Sequence, residues 1–223
     1  MNYWPHDAHM HLPISRKIAC VVNASSGEEY QFLKEHKHSN MYISCGVHPW
    51  KADKTDYEVL LPYIKEADFL GEIGLDEPWC DVPFEVQKEV LIKQLQDVNK
   101  TTYLHTKGYE KEILQIITLF PRKYVVHWYS SEDYIEEYMK LDCFFTIGPI
   151  VNETLVKKVP LNRLLIETDG IEAIEWAYER TVLDTEYIDV LENIVKQVAE
   201  LKKVSIEEVK LNLSHNFSAL TCI

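Results

Sequence analysis

His9 and His11 stand two residues apart in the stretch HDAHMHLPI, close to Asp7. At strand spacing alternate residues share a face, so both imidazoles point one way and Met10 the other. Further along, His48, Glu72, His105, His127 and Asp169 each cap or interrupt a short apolar run. Taken singly, each has an ordinary explanation: a strand end, a pairing with lysine, a cap for the next segment. Recurrence at the same end of several strands points instead to a shared site. Left without a cation, the two carboxylates would repel and the set would be costly to desolvate. Imidazole nitrogen with carboxylate oxygen suits zinc, manganese or iron, and magnesium less well. Four of the histidines with the two carboxylates, six donors, already exceed the three protein ligands and open position of a single catalytic zinc. Two divalent ions (Zn, Mn or Mg) about 3.5–4 Å apart fit better, bridged by Glu72 and a water. Such a water ionises near neutral pH, its pKa falling from about 15.7 to roughly 7, so metal-assisted hydrolysis is the expected reaction class. His6 is read as a bystander, His215 as structural, and His36 and His38 receive no role.

These donors require strands whose ends lie together. Apolar, β-branched and aromatic runs predict strands over 5–9, 17–24, 41–47, 68–74, 101–105, 123–128, 143–148 and 163–169. Between them, amphipathic periodicity predicts helices over 26–37, 56–67, 82–100, 108–120 and 131–141, with two more over 185–204 and 205–220. Ser26 is a candidate N-cap, Ser205 with Glu208 forms a capping-box pattern, and Pro62 is an awkward point inside its helix. Strand–helix alternation around eight strands implies parallel βαβ units. Eight such units close into a (β/α)8 barrel, slightly trimmed, with chemistry at the carboxyl ends of the strands. The short stretch 12–16 compresses the first crossover. One domain over 1–223 is expected, since single barrels commonly run to about 200–250 residues.

Composition narrows the class. Hydrophobic residues make up 46% of the 223, enough for a large core. The net charge of −13 repels nucleic acid at long range and argues against a scaffold that coats DNA. Five cysteines form no CxxC pair; Cys20, Cys45 and Cys143 sit in or beside apolar runs and read as small buried hydrophobes. An odd count without a framework suggests a reducing compartment. No secretory leader and no membrane-length apolar run are visible. A cytoplasmic protein is expected.

DAHMHL, GVHPW, GEIGLD, the His105 strand, VVHWYS and VPLNRLLIETDG occur in that order, with NFSAL near the end. In this combination the chain resembles the TatD-type metal-dependent hydrolases, within the amidohydrolase-like barrels, over nearly its whole length. The resemblance implies a two-metal barrel and, as in many members, deoxyribonuclease activity of the 3′–5′ exonuclease kind. It implies His9, His11, Glu72 and Asp169 around one metal and Glu72, His105 and His127 around the other. It also implies that Asp169 accepts the proton of the attacking water and that His48 reaches a substrate phosphate from the rim. The ordinary alternative for His48 is a hydrogen bond within its own turn.

Some positions depart from the family pattern. Lys107 stands where the family usually carries an arginine; it keeps the charge, loses the bidentate fork, and is taken as substrate-binding. Ser131 replaces a glycine. After Asp169 the family's proline and substrate-seating loop give way to the acidic stretch GIEAIEWAYERTVLD, in which Arg180 is the available cation. The hydrolytic centre thus reads as intact and the substrate wall as remodelled. The expected substrate is a DNA end or a nucleotide-like phosphoester. A small ester, amide or lactone is the alternative, and a non-catalytic metal-stabilised barrel serving as a partner module is a further one. Trp50, Trp79, Trp128 and Tyr129 follow strand ends and form either a rim that stacks unpaired bases, at about 1–3 kcal/mol each, or ordinary packing between loops.

Overall fold

The computed structural model describes residues 4–11 and 18–221. Eight parallel strands pair in chain order: β1 (His6–Met10), β2 (Ala19–Ala24), β3 (Met41–Cys45), β4 (Phe69–Asp76), β5 (Thr102–Lys107), β6 (Tyr124–His127), β7 (Cys143–Ile147) and β8 (Leu164–Ile166). Among the described residues the ladder runs from β1 to β8. The seam between β8 and β1 is closed by other means: the Asp169 amide donates to the His9 carbonyl at 3.1 Å, and the Thr168 amide to Asp7 Oδ1 at 3.2 Å. This is the expected barrel, nearly closed. The compressed first crossover over 12–16 lies outside the described residues.

The predicted helices appear as α1 (Gly27–Glu35), α2 (Tyr57–Glu66), α3 (Phe84–Asp97), α4 (Glu110–Thr118), α5 (Ile135–Lys140), α8 (Tyr187–Lys202) and α9 (Ile206–Thr221). Ser26 caps α1, its hydroxyl accepting from the Glu29 amide at 3.1 Å. Pro62 lies inside α2 on its exposed side, where the chain carries the break without burying an unpaired carbonyl. Two helices were not anticipated. α6 (Glu153–Lys158) has six residues and is started by the Asn152 side chain accepting from the Leu155 amide. α7 (Ile171–Tyr178) occupies the acidic stretch expected to be a loop. It holds to the barrel through fully buried Ile174.

Strand alternation builds the interior in layers. Ala8, Val21, Tyr103, Val125, Phe144 and Leu165 form one apolar cluster with Phe217 and Leu220 of α9. Their neighbours in sequence, such as Val22, Leu104, Val126 and Ile166, join the larger cluster beneath the helices. Two residues on along the inward face, the apolar layer gives way to Asn23, His105, His127 and Glu167. One end of the barrel is thus an apolar plug and the other a ring of buried polar groups. None of the helices described is long and apolar enough to cross a membrane.

Candidate metal centre

Four strands supply His9, Glu72, His105 and His127, all buried. His11 and Asp169 stand just beyond β1 and β8, and His48 follows β3, before the short turn Pro49–Lys51. Glu72 is the hub. Its Oε2 lies 3.3 Å from both His9 Nε2 and His11 Nε2. Its Oε1 lies 2.6 Å from His105 Nδ1, 3.6 Å from His127 Nε2 and 3.7 Å from His48 Nε2. Asp169 Oδ1 approaches His9 Nε2 at 3.2 Å and His11 Nε2 at 3.5 Å, while Oδ2 lies 3.8 Å from His127 Nε2. Donor atoms within 4.8 Å of one another form three sets: His9, His11 and Asp169; His48, Glu72 and His105; His9, His127 and Glu167.

Each inner imidazole has a group behind it. His105 Nε2 faces Asp76 Oδ2 at 2.8 Å, and His127 Nδ1 faces Glu167 Oε1 at 2.9 Å. A carboxylate behind an imidazole keeps the proton on the outer nitrogen and leaves the inner one bare for a metal. His9 Nδ1 lies 3.0 Å from the Asn23 amide nitrogen, so ligation through Nε2 requires that amide to present its oxygen instead. His48 is the opposite case. Its Nδ1 accepts from the Trp50 amide at 3.2 Å, which puts the proton on Nε2, the atom turned into the centre. His48 therefore makes the turn bond and also offers a donor to the site.

The electrostatics follow from this crowding. Burial pushes Glu72 upward, but His127, His9, His48 and His105 outweigh it and hold its carboxyl well below the usual range. Asp169 is likewise raised by burial and lowered further by His127, His9 and His11, to about 2. Burial takes His48 down to about 4, against the pull of Glu72. Burial lowers His9 and His105 too, but Glu72, with Asp169 at His9 and Asp76 at His105, reverses the sign and raises both. These two imidazoles hold protons where a metal would otherwise sit.

The donor set passes a simple test of fit to a cation. His9 Nε2 and Asp169 Oδ1 are buried and neither makes a hydrogen bond of good geometry among the described residues, although they are 3.2 Å apart. Both are aimed at a common point rather than at each other. Asp169 holds that aim with φ of 63°, in the left-handed region that non-glycine residues seldom enter.

The other expected residues fall as follows. Lys107 is buried, and its Nζ donates to the Trp128 carbonyl at 2.7 Å, with Glu167, Asp169, Glu72 and Asp76 as its nearby charges. His6 is buried at the other end of β1, its ring 4.6 Å from that of Phe217, outside the donor ring. Tyr129 is not part of a rim. It is 1% exposed, stacks its edge on Tyr138 and Phe145, and donates to the Asp133 carbonyl. Two supporting acids escaped the sequence reading. Glu167 could have been found by the period of two that links Leu165 to Asp169; Asp76 was visible as a strand end but carried no sign of its partner. The centre opens into a cleft of about 430 Å³ whose outer wall includes Glu29, Lys51, Trp50 and Glu172.

A family model described as "TatD related DNase" matches residues 14–221. The chain belongs to the TatD family. It is 28% identical over 214 residues to the Bacillus subtilis protein "Uncharacterized metal-dependent hydrolase YabD", covering 86% of this chain and 79% of that one. It is also 28% identical over 136 residues to a Vairimorpha ceranae protein named "Putative deoxyribonuclease TATDN1 homolog", covering 56% of this chain and 51% of that one. The fold matches the crystal structure of the Escherichia coli TatD homologue YJJV over the whole of both chains, with a TM-score of 0.84 at 21% identity. As a TatD protein the chain is a metal-dependent hydrolase, with candidate metal-holding clusters at the strand ends.

Proposed function

We propose that this TatD protein hydrolyses phosphodiester bonds, at DNA ends or in smaller nucleotide-like substrates, with two divalent ions held in the barrel mouth. His9, His11, Glu72 and Asp169 would hold one ion, and Glu72, His105 and His127 the other. Ions bound there supply Lewis acidity and make water nucleophilic near neutral pH. The observation that carries the reading is the convergence of His9 Nε2, His11 Nε2 and Asp169 Oδ1 on one side of Glu72, and of His105 Nδ1 and His127 Nε2 on the other.

The residues divide the remaining work. Asp169, ionised at neutral pH, accepts the proton of the attacking water. His48 is neutral there and offers Nε2–H, a donor for a non-bridging phosphate oxygen that brings no charge of its own. Lys107 holds the Trp128 backbone in place and adds positive potential behind the site. Asp76 holds the His105 imidazole in the ligating tautomer, and the Glu167 carboxylate stands 2.9 Å behind His127 Nδ1.

The test offers metal-supplemented protein 3′-labelled single-stranded DNA and bis-p-nitrophenyl phosphate, beside panels of carboxyl esters, amides and lactones. Phosphodiester turnover that disappears in Glu72→Ala is the expected result. Turnover of carboxyl esters or lactones alone would replace this reading with that of a different metallohydrolase.

A further inference from the structure

Three tryptophans that follow different strands of the barrel meet beside the metal centre. Trp79 follows β4, Trp128 follows β6 directly after His127, and Trp176 lies on α7 beyond β8. The Trp176 ring is 6.1 Å from that of Trp128 and 6.4 Å from that of Trp79, edge to face in both cases. The cluster is nevertheless open to solvent: Trp79 is 57% and Trp176 61% exposed.

The site holds Trp128 by its ring, and Trp79 and Trp176 by the backbone that carries them. Trp128 lies over Gly148, where a Cβ would come within 2.6 Å of the indole, and its Nε1 donates to the Ile150 carbonyl at 3.1 Å. Its ring is 6.4 Å from that of His127, and Lys107 Nζ sits 5.8 Å from its centroid. The Trp79 amide donates to Asp76 Oδ1, the carboxylate that backs His105. α7 carries Trp176 on one turn and lines the cleft with Ile171, Glu172 and Ala173 on another.

Indoles fixed in this way and left in water give up the burial that usually stabilises a large aromatic side chain. A flat ring laid on them would recover it, with Trp128 already held in place. The charge pattern of the described residues favours such a contact. Among the described residues that line the cleft, the lysine is Lys51, which is engaged with Ser25 at 2.6 Å and Glu29 at 3.8 Å. Lys107 is engaged with Trp128. A substrate phosphate meets few free cations here, so grip on the rest of the substrate must come from uncharged contacts.

We infer that Trp79, Trp128 and Trp176 form a subsite that stacks an unpaired nucleobase next to the scissile phosphodiester. The inference rests on the phosphodiester reading and adds what the substrate must carry: an aromatic base that is out of its helix. A duplex interior cannot meet that requirement, whereas a frayed end, a single strand or a short oligonucleotide can.

The experiment compares kcat/KM for two short single-stranded DNAs that differ only in carrying an ordinary or an abasic residue beside the cleaved bond. The metal-loaded protein is expected to favour the ordinary residue about tenfold, within the roughly 5- to 150-fold that one stacked base is worth. Trp176→Ala and Trp79→Ala should each bring the ratio toward one, while Leu211→Ala, on the exposed side of α9, keeps it. A ratio of one in the unaltered protein, or a ratio unmoved by both tryptophan variants, overturns the subsite. If neither DNA is cleaved, the phosphodiester reading fails, and quenching of tryptophan fluorescence by AMP decides the subsite separately. Quenching that is lost in the two variants sustains it, and no quenching overturns it. Light scattering that finds a dimer broken by Trp176→Ala would assign the patch to a second copy of the chain instead.

Discussion

Replacing Asp76 by asparagine keeps the side chain's size but removes the carboxylate that faces His105 Nε2 at 2.8 Å. The amide can present its nitrogen to that atom and favour the wrong tautomer, with the proton on Nδ1. Metal affinity should fall by about 10- to 100-fold, the usual cost of losing an outer-shell partner, and a competition titration against a chelator reads it directly. Affinity unchanged in Asp76→Asn would remove His105 Nδ1 from the ligand set. The same residues predict a pH dependence. In the metal-free protein Glu72 raises His9 and His105 above the ordinary imidazole value of 6.5, so both carry protons into the neutral range. Binding must displace those protons, so apparent affinity falls as pH drops and keeps climbing as pH rises above 6.5. Calorimetry in two buffers of different ionisation enthalpy should record the released protons. Affinity flat above that pH would contradict the assignment. At this scale the donors were legible because each interrupts an apolar run. Asp76 and Glu167 were not assigned, since a buried acid behind a histidine has no signature until its partner's ring is placed.

At the scale of elements, the weak point of the barrel is the seam between β8 and β1, and the buried Asp7 side chain spans it. Asp7 Oδ1 accepts from the His9 amide at 3.1 Å and the Thr168 amide at 3.2 Å. Its Oδ2 accepts from Thr168 Oγ1 at 2.6 Å and from the Tyr187 hydroxyl of α8. The carboxylate therefore ties His9 to the residue before Asp169, and so fixes one half of the metal centre. Asp7→Ala leaves several buried donors without an acceptor, each worth roughly 1–3 kcal/mol. A loss of at least about 3 kcal/mol by urea denaturation is expected, with reduced metal binding in whatever protein folds. Tyr187→Phe removes only one donor and should cost about 1 kcal/mol, with metal binding largely kept. Equal losses from the two would mean that Tyr187, not Asp7, holds the seam. The strands and the long helices were legible from period and caps. α6 and α7 were not: α6 is set by its Asn152 cap, and α7 owes its place to the buried Ile174.

The whole molecule carries a net charge of −13, yet its proposed substrate is a polyanion. Both hold only if contact with the substrate is short and local. Affinity gained by neutralising phosphates appears as a salt dependence, with a log–log slope of roughly −0.7 per phosphate contacted on a single strand. Lys51 stands in the cleft wall, while Lys107 is turned onto the Trp128 backbone. Among the described residues, the cleft wall thus offers about one phosphate contact beyond the metal-held group. The slope of log kcat/KM against log salt should be about −1 or shallower, measured on oligonucleotides of increasing length. It should not steepen with length, because the net charge of −13 repels the rest of the strand. A slope of about −3 or steeper, growing with each added nucleotide, would require a basic track along the strand. That result would move the substrate from a short end or nucleotide to a polymer gripped over several residues. A shallow slope combined with a strong preference for an ordinary base over an abasic one would trace binding to aromatic faces rather than to charge.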